Sequence, residues 1–564
     1  MKTTSCDVLI LGGGSAGLWA AYSCAQKNPE AKIVIVDKGP KDWGGLMTMA
    51  GGDFEAVLDP DTVDEWIQDF VYYFDGLCDQ KLMEEILTRS RDRLEDYERF
   101  GCEFFKMEDG SRKFVRQRGL DHVKLYPAQL KGRGGELMVK NLVKQLEKMK
   151  VQRMGRILLG AFLRQGDRVC GALGFDCITG ERHRFDAKVV IAATGMGGWK
   201  TSYGKNTPTG ETMMMAYEAG AHLQNMEFAR VWNMPRLFGW EGQTVLMPLG
   251  ARFVNGRGEP IMDRYSPVLG ANTDPHYTTI AMAMEVREGR GPITFDLSNI
   301  KDENLILLRP QNGWQKLNYD KLSALGLDLF HDSTEWVPQM TVAYGGIRAD
   351  ARGNTAVPGL LAAGTARSTE PGVYAGGFAL MTTSVLGYMA GENAAELLAD
   401  TPAPTPDTDV EAEFERMFAP LGKSGLHFKE VLRHIQSVVF PYDVSIIKTE
   451  ESLERARREL VSIIENEVPA MAAEDPHYLL KVLETRAIAF VSLMYVKASL
   501  ERRETRAGHF REDYPTRNEN ELAWLCLKKG EGMEPDFYRV RVPLEEYRFP
   551  VTRYYQDNFT FGKQ

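Results

Sequence analysis

The chain lacks the features that would place it across a membrane. No apolar run in its 564 residues reaches the ~20 that a spanning helix needs, and the longest, residues 487–496, lies in a charged amphipathic segment. The N-terminus, MKTTSCDVLIL, lacks the basic region, long apolar core and cleavage site of a secretory signal. We therefore expect a cytoplasmic protein without a transmembrane segment, which associates with a membrane only through a partner.

Cysteine is scarce and scattered. The seven cysteines form no C-x-x-C pair, and their odd number fits reduced thiols in the cytoplasm better than a disulfide framework. Iron–sulfur ligation needs clustered thiolates, so we expect no such cluster, and no metal site, in the chain itself. The 78 acidic against 68 basic side chains exclude a general nucleic-acid binder, because phosphate binding needs a basic surface. If the protein moves single electrons, it does so with a separate partner.

What the sequence does contain is a glycine-rich turn between two apolar runs, in residues 6–38. The run CDVLIL leads into GGGSAG, a helical pattern follows, and the run KIVIV ends at Asp37. This order predicts a strand, a tight turn, a helix and a strand, the βαβ unit that binds dinucleotides. Gly12 permits the sharp turn, Gly14 lets the backbone approach a pyrophosphate, and Gly17 allows the helix to pack closely. The Asp37 carboxylate then accepts hydrogen bonds from a ribose.

The same stretch supplies further candidate contacts and leaves the cofactor open. Ser15 and Ala16 begin the helix whose N-terminus holds the pyrophosphate, and Lys38 follows the acid. An acid at position 37 favours a free ribose over a 2′-phosphate, so NAD and FAD are both compatible with it. Two glycine pairs come next, and their density allows the backbone to approach a large planar ligand. They are Gly44 with Gly45 and Gly51 with Gly52.

Five passages together resemble the fumarate reductase and succinate dehydrogenase flavoprotein superfamily, which also holds aspartate oxidase and the flavin subunit of adenylylsulfate reductase. They are GGGSAG with AGGDFEA; AATGMGG followed by TGE; GARFVNGRGEPIMDRY with EVREGRG; YGGIRADARGNTAVPGLLAAGT followed by AGGFAL; and the closing ASLERRETRAGHFREDYPTRNENELAWL. The resemblance spans nearly the whole chain. It implies FAD bound in an extended conformation and a capping domain that closes over its isoalloxazine.

The resemblance implies an α/β fold, namely a Rossmann-like FAD-binding domain with an inserted α+β capping domain and a C-terminal helical domain. We expect the FAD-binding domain at residues 1–235 and 341–400, the capping domain at 236–340, the helical domain at 410–515 and a C-terminal extension at 516–564. The proline-rich stretch at residues 401–409 predicts the boundary before the helical domain. Within the cap, residues 250–265 are expected to form a hairpin and residues 278–288 a helix.

In that family, later small-residue turns also meet the flavin. The resemblance implies such contacts at Ala193, Thr194, Gly195, Gly364 and Thr365, a second ribose or ribityl contact at Glu211, and helix-terminal amides facing the flavin at Ala379 and Leu380. A histidine just before the AGG-like turn often carries the flavin covalently in the family. No histidine occurs between residues 1 and 119 here, so the resemblance implies noncovalently bound FAD.

The ionic groups with which the dicarboxylate reductases hold their substrate are missing from this sequence. Where the family has two histidines and two arginines, ungapped matching puts Trp232, Pro275 with His276, Thr341 and Tyr374. Because two carboxylates need cations, fumarate, succinate and aspartate become poor substrates.

What remains at this place is a mixture of aromatic and basic side chains. The candidate catalytic residues are His276, Tyr374, Arg230 and Trp232, and the same loop carries Arg236 and Trp240. Arginine and tryptophan together hold a planar or anionic substrate by stacking and hydrogen bonding. His276, expected in a non-helical turn, is the acid or base candidate, and Tyr374 donates a proton or lines the pocket. The alternative is that the tryptophans pack the cap interface and the arginines are surface groups.

These features predict an FAD-dependent oxidoreductase that exchanges hydride or electrons between flavin N5 and a small non-dicarboxylate substrate. A ferredoxin-like iron–sulfur protein is the expected electron carrier, as for the adenylylsulfate reductase flavin subunit, which this chain resembles most in character. Two alternatives stay open. One is a stand-alone enoate reductase with Tyr374 or His276 as proton donor, and the other is a noncatalytic electron-transfer flavoprotein.

Overall fold

The structure is a computed structural model that describes residues 1–129, 134–201, 206–237, 246–247, 249–301, 320, 322–328, 332, 334–369 and 372–561. Of the residues singled out above, Trp240 lies outside these ranges. All seven cysteines are buried and free. No described helix is long and apolar enough to cross a membrane.

The largest sheet is built around the N-terminal strand. β1 (Lys2–Leu11) pairs in parallel with β2 (Ile33–Val36) on one side and with β9 (Arg182–Ala192) on the other. β6 (Gln152–Met154) extends the sheet beyond β2, and β16 (Leu360–Ala362) pairs in parallel with β9. All four residues of β2 are buried, as in parallel sheets covered on both faces. The carboxyl ends of β1, β9 and β16 therefore meet at one edge.

An antiparallel hairpin completes this sheet. β7 (Ile157–Gln165) pairs with β8 (Arg168–Asp176), and β8 pairs with β9. A turn at residues 165–167 joins the two strands, and Gly166 has a φ of +57° there.

Two helices pack against each other over the parallel strands. They are α1 (Ser15–Lys27) and α8 (Phe378–Leu397). Gly387 and Gly391 of α8 make the approach possible, because an added Cβ there would lie 2.4 Å from the Ala16 carbonyl oxygen and 2.0 Å from that of Ala20. The close packing brings the beginning of α8 to the beginning of α1.

Further helices cover the sheet and its edge. They are α2 (Val63–Tyr73), α3 (Gln80–Arg99), α4 (Gly134–Lys148) and α5 (Glu211–Glu218). Gly101, with a φ of +96°, follows the end of α3, where glycine is the residue that most often adopts a left-handed backbone. A small antiparallel sheet has the order β3 (Phe54–Glu55), β5 (Lys124–Tyr126) and β4 (Val115–Arg116), and α2 and α3 lie between β3 and β4 along the chain.

The C-terminal part of the chain returns to the region expected to bind the cofactor. In a second sheet, β10 (Leu223–Gln224) pairs with β15 (Gly346–Ile347) and with β17 (Ala523–Lys528), and β17 pairs with β18 (Asp536–Arg541). The indole of Trp524 donates a 2.9 Å hydrogen bond to the Leu77 carbonyl. This bond fixes the second sheet to the segment between α2 and α3.

Two strand pairs and two helices form the region expected to be the cap. β11 (Ala229–Pro235) pairs with β14 (Trp336–Ala343), and β12 (Arg252–Val254) pairs with β13 (Thr294–Asp296), both antiparallel. The helices are α6 (Ile261–Tyr265) and α7 (Pro275–Arg287).

Two local predictions in this region are wrong, the hairpin and the non-helical turn at His276, while the predicted helix is present with shifted bounds. Residues 250–265 do not form a hairpin of two strands, because β12 pairs with β13 and the second half of the stretch is α6. The helix predicted at residues 278–288 begins three residues earlier, at Pro275. His276 is consequently helical instead of lying in a non-helical turn. The reason is that Asp274 caps the helix and proline is well suited to its first position.

The helical part follows the proline-rich stretch. It consists of α9 (Val410–Phe418), α10 (Phe428–Val439), α11 (Tyr442–Ser445), α12 (Glu450–Ser462) and α13 (Pro476–Glu501). A π-helical turn, Ile463–Glu467, continues α12. The central α13 is buried over most of its length and packs against α10 and α12.

Candidate functional site

The first glycine turn and the turn after β9 lie against each other. Gly12 has a φ of +104°, and a Cβ there would lie only 2.4 Å from the carbonyl oxygen of Ala193. The Ala193 amide donates a 2.8 Å hydrogen bond to the carbonyl of Leu11. Glycine is therefore required at position 12 both for its left-handed backbone and for this contact. The predicted contacts at Gly12 and at residues 193–195 belong to one site.

Open space lies above Gly14. A Cβ on Gly14 would meet nothing closer than the Gly44 carbonyl oxygen at 3.8 Å, and Gly45, with a φ of +62°, faces it from the next loop. No side chain caps the N-terminus of α1, so its first amides can meet an anion. A cradle lined by backbone, as seen here, fits the pyrophosphate of a dinucleotide.

Asp37 is held at the carboxyl end of β2. Its Oδ2 accepts a 2.6 Å hydrogen bond from the Gly13 amide, and its Oδ1 accepts one of 2.6 Å from the Gly39 amide. The carboxylate is thus positioned beside the glycine turn, as a ribose contact requires.

Lys38 and Glu211, predicted as separate cofactor contacts, bond to each other. The Lys38 Nζ donates hydrogen bonds of 2.6 Å to Thr209, 2.6 Å to Glu211 and 2.9 Å to Glu484. Burial opposes the charge of this ammonium, but Glu211 and Glu484 raise the pKa of Lys38 above its usual value. The network joins β2 to α5 and to α13, so both residues have a structural task besides any contact with the cofactor.

The later turns complete the same site. A Cβ on Gly364 would lie 2.5 Å from the Ala16 Cβ, and the Thr365 hydroxyl oxygen lies 3.7 Å from the Cβ position of Gly195. Gly377, with a φ of +81°, precedes α8. A Cβ added to Gly377 would lie 3.2 Å from the carbonyl oxygen of Asp53. Ala379 and Leu380 therefore begin a helix directed at the loop that carries Gly51 and Gly52.

The loop between β2 and β3, which carries both glycine pairs, also contains a buried hydroxyl group. The Thr48 hydroxyl is 2 % exposed and its oxygen has no hydrogen-bond partner among the described residues. Such an atom is costly unless a ligand or water satisfies it. Together with the cradle around Gly14, it makes the loops fit FAD, whose ring system needs polar contacts beside a glycine-lined path.

Three of the four candidate catalytic residues form one stack. The guanidinium carbon of Arg230 lies 4.3 Å from the centre of the Trp232 ring and 4.3 Å from that of Tyr374. The two aromatic rings pack edge to face at 4.8 Å. Trp232 is fully buried, and its indole Nε1 has no hydrogen-bond partner among the described residues. The stack fixes the direction of the guanidinium by cation–π attraction.

The fourth candidate, His276, is oriented by the residue that caps its helix. The Asp274 Oδ1 accepts a 2.7 Å hydrogen bond from the His276 amide and lies 3.1 Å from the ring Nδ1. The other ring nitrogen, Nε2, is buried and has no hydrogen-bond partner among the described residues. A carboxylate at Nδ1 favours the proton on that nitrogen, which leaves Nε2 available to exchange one.

Asp274 also connects His276 to the stack. Its Oδ2 accepts hydrogen bonds from the Tyr374 amide at 3.2 Å and from the Tyr73 hydroxyl at 2.9 Å, and its own amide donates to the Tyr555 hydroxyl at 3.0 Å. Burial and the charge of Asp274 raise the pKa of Tyr73 well above its usual value, so this hydroxyl stays protonated as a donor. Asp274 thus bonds to two of the four candidates, His276 and Tyr374, and Tyr374 in turn stacks with Arg230 and Trp232.

Sequence reasoning missed Asp274, Tyr73 and Tyr555. The signal for Asp274 was present, because an Asp-Pro pair before a helical pattern is a typical helix start. The two tyrosines come from distant parts of the chain, and only the fold brings them here. Arg236, by contrast, is exposed and donates from Nη2 to Glu335 at 2.8 Å, so it lies away from the stack.

Comparison with known proteins gives consistent matches along the chain. Residues 7–379 match the family model described as an FAD binding domain, and residues 436–553 match that of the fumarate reductase flavoprotein C-terminus. One subunit of the CoM/CoB fumarate reductase of Methanothermobacter marburgensis is 27 % identical, over 94 % of this chain and 98 % of the relative. The succinate dehydrogenase flavoprotein subunit of Rickettsia bellii is 26 % identical, over 92 % of this chain and 91 % of the relative.

Solved structures share the fold at lower identity. The flavoprotein of E. coli quinol fumarate reductase superposes with a TM-score of 0.88 at 21 % identity, and each chain is fully covered. Adenylylsulfate reductase of Archaeoglobus fulgidus gives a TM-score of 0.78 at 19 % identity, over 96 % of each chain. These likenesses establish the fold.

Proposed function

Because this chain belongs to the fumarate reductase and succinate dehydrogenase flavoprotein family, and is an FAD-dependent oxidoreductase, we propose that it acts on a small, planar monoanion instead of a dicarboxylate. The family, the α/β fold and the FAD cofactor, all predicted from the sequence, are confirmed by the family match over residues 7–379 and by the relatives. The substrate, the partner and the role of each site residue are proposals.

The observation that carries the proposal is the stack of Arg230 between Trp232 and Tyr374. One guanidinium held between two rings offers an anion-binding group with apolar walls. A dicarboxylate needs a cation at each end, and burying its second carboxylate against these rings is costly. A planar monoanion can contact the guanidinium and the aromatic surfaces together.

Bound FAD supplies hydride exchange at its N5. The proton that accompanies the hydride is carried by His276, at Nε2. Asp274 accepts the hydrogen bond from Nδ1 and stabilises the imidazolium when Nε2 is protonated. Tyr73 and the Tyr374 amide hold the other oxygen of Asp274, so the carboxylate keeps its direction while the histidine changes charge.

The FAD is bound noncovalently in this proposal. The loop that faces Gly14 presents Gly44 and Gly45, which offer no side chain for a bond to the flavin. The electrons come from or go to a separate iron–sulfur protein. Two observations support such a partner: the Methanothermobacter relative is one component of a larger enzyme by its description, and the seven cysteines of this chain are scattered.

A turnover assay with a dye in place of the partner tests the role of His276. The full chain, loaded with FAD, receives electrons from reduced benzyl viologen and is offered cinnamate, a planar monoanion, or fumarate. We expect faster turnover of cinnamate, and a loss of about 100-fold in the His276→Asn variant. The His477→Asn variant, altered at an exposed histidine on α13, should keep its activity. Preferred turnover of fumarate, or full activity in H276N, would contradict the proposal.

A further inference from the structure

A cavity of about 560 Å³ lies between the segment joining α2 to α3 and the sheet of β10, β15, β17 and β18. None of the predicted catalytic or cofactor-binding residues lines it. Its volume is within the range of ~300–1,000 Å³ that is usual for small-molecule sites. Nothing in the proposed function uses this cavity.

A buried guanidinium that has no carboxylate partner in the described part of the chain lines the cavity. Arg367 is 4 % exposed, and its Nη1 and Nη2 donate to the carbonyls of Asp350 at 2.6 Å and Ala349 at 2.8 Å. Its Nε has no hydrogen-bond partner, and no ion pair within 4 Å includes it, among the described residues. Burial lowers the pKa of Arg367 to about 10. A buried cation of this kind is stabilised by an anion.

A second arginine lines the same cavity. Arg348 donates from Nη1 to the Tyr538 hydroxyl at 3.1 Å and lies 3.4 Å from the Cys526 sulfur. No carboxylate within the described ranges forms an ion pair with it. The Tyr538 hydroxyl also lies 2.6 Å from His222 Nδ1. Burial, and then the charge of Arg348, lower the pKa of His222. This shift favours the uncharged imidazole, so the two arginines are the anion-binding groups of the cavity.

The acids of the cavity wall are engaged in local bonds. Asp79 caps α3 by accepting from the Leu82 amide at 3.1 Å, and it accepts a 3.1 Å bond from the Tyr547 hydroxyl. Both oxygens of Asp350 hold Asn354, each at 2.8 Å. These carboxylates are occupied in fixing the backbone, and neither closes an ion pair with Arg348 or Arg367 within the described part of the chain.

Apolar side chains of α3 and one further polar side chain, that of Asn225, also line the cavity. The apolar side chains are those of Leu82, Met83 and Ile86. Asn225 is 3 % exposed and donates from Nδ2 to the Ser368 hydroxyl at 3.1 Å, while its Oδ1 has no hydrogen-bond partner among the described residues. The cavity therefore combines an apolar face with two arginines that form no ion pair, and an amide oxygen that accepts no hydrogen bond, within the described part of the chain.

We propose that this cavity is a second ligand site, which takes an organic carboxylate with an apolar body. The carboxylate binds Arg348 and Arg367, a donor group of the ligand reaches Asn225, and the apolar body lies on α3. Inorganic phosphate can bind the two arginines but makes no contact with the apolar side chains of α3, so it binds more weakly than the organic carboxylate. The site stands apart from the stack of Arg230, Trp232 and Tyr374 and does not depend on the proposed function.

Calorimetry on the full chain loaded with FAD tests the site with 4-phenylbutyrate as the probe and 4-phenylbutyramide as its neutral counterpart. We expect the carboxylate to bind and the amide and inorganic phosphate to bind at least about tenfold more weakly, since a charge-assisted bond is lost or the apolar contact is missing. Arg348→Gln should weaken the carboxylate about tenfold. Arg433→Gln, at an exposed arginine of α10, should not change it.

Two further variants keep the test decisive. Asn225→Asp adds a negative charge to the cavity with almost the same shape and should also weaken 4-phenylbutyrate, even if R348Q proves unstable. Arg230→Gln should leave the part of this binding that depends on Arg348 unchanged, which separates the cavity from the catalytic stack. Equal binding of the carboxylate and the amide, unchanged binding in a folded R348Q or N225D, or loss of the Arg348-dependent binding in R230Q would overturn the proposal.

Discussion

Asp274 and Tyr374 are joined by a 3.2 Å hydrogen bond, from the amide of Tyr374 to Oδ2 of the Asp274 carboxylate. The other oxygen of the same carboxylate lies 3.1 Å from Nδ1 of His276. The start of α7 and the loop that precedes α8 are therefore fixed to each other through one fully buried acid. This relationship sets the distance between the proposed proton carrier and the aromatic stack.

Replacing Asp274 by asparagine should disable His276 while preserving its place. The amide keeps the shape of the side chain but cannot stabilise an imidazolium as a carboxylate does, so we expect kcat to fall about 100-fold with a smaller change in KM. Asp475→Asn is the control, because Asp475 also caps a helix, α13, accepting from the Tyr478 amide at 2.8 Å, and this variant should keep its kcat. A kcat in D274N close to that of the unaltered protein would show that the acid is only structural.

Two glycine substitutions should separate folding from FAD binding. Gly14→Ala adds a methyl group with no protein atom closer than 3.8 Å, so the apoprotein should keep its thermal stability while its affinity for FAD falls. Gly12→Ala places a Cβ 2.4 Å from the Ala193 carbonyl oxygen at a φ of +104°, so both stability and affinity should fall. The measurements are the Tm of the apoprotein and a fluorescence titration with FAD. Equal FAD affinity in G14A and the unaltered protein would contradict the assignment of the cradle.

The buried Lys448 should make stability rise with pH. Its Nζ lies 2.8 Å from His509 Nδ1, and burial lowers the pKa of Lys448 from 10.5 to about 7. Between these pH values the unfolded chain binds the proton that the folded chain has lost, so the free energy of unfolding rises with pH, by at most about 1.4 kcal/mol per pH unit. Below pH 7 both states are protonated and this contribution to the slope disappears.

Lys448→Met should remove that part of the pH dependence. We expect the Tm of the variant to change less between pH 7 and pH 9.5 than that of the unaltered protein, and to be higher at pH 7, because no buried ammonium remains. Lys423→Met, at an exposed lysine, serves as the control and should retain the slope. Parallel Tm curves for K448M and the unaltered protein would mean that Lys448 does not titrate in this range.

Acid precipitation should release the flavin. The loop at Gly44 and Gly45 has no side chain to attach it, so the yellow colour and FAD fluorescence are expected in the supernatant after trichloroacetic acid treatment. A coloured protein pellet, with flavin mass on a peptide after proteolysis, would instead demonstrate a covalent bond.

The sequence was most informative where glycine is required by the backbone itself. Gly12 could be recognised because a turn with positive φ before a helix leaves few other choices. The family resemblance likewise brought residues from distant segments into one predicted FAD site. The role of Asp274 could not be read in this way, since capping explains an aspartate before a proline without any reference to catalysis. The partners Tyr73 and Tyr555 depend on how α2 and the C-terminal segment pack, which periodicity does not determine.

Arg230 shows the same limit for side-chain direction. Its sequence neighbourhood allowed either a surface group or a substrate contact, because both are common for an arginine beside a tryptophan. The structure distinguishes it from Arg236, six residues on, through the stack with Tyr374 from a distant part of the chain. Long-range contacts of this kind determine which of two similar residues faces the site.

The most direct test of the substrate class is a ligand titration of the oxidised holoprotein, followed through the visible absorbance of the flavin. Benzoate, a planar monoanion, is compared with succinate in the unaltered protein, in Arg230→Gln and in the exposed control Arg433→Gln. We expect benzoate to bind at least about tenfold more tightly than succinate, R230Q to lose that preference, and R433Q to keep it. Tighter binding of succinate, or unchanged benzoate binding in R230Q, would contradict a monoanion site built on Arg230, Trp232 and Tyr374.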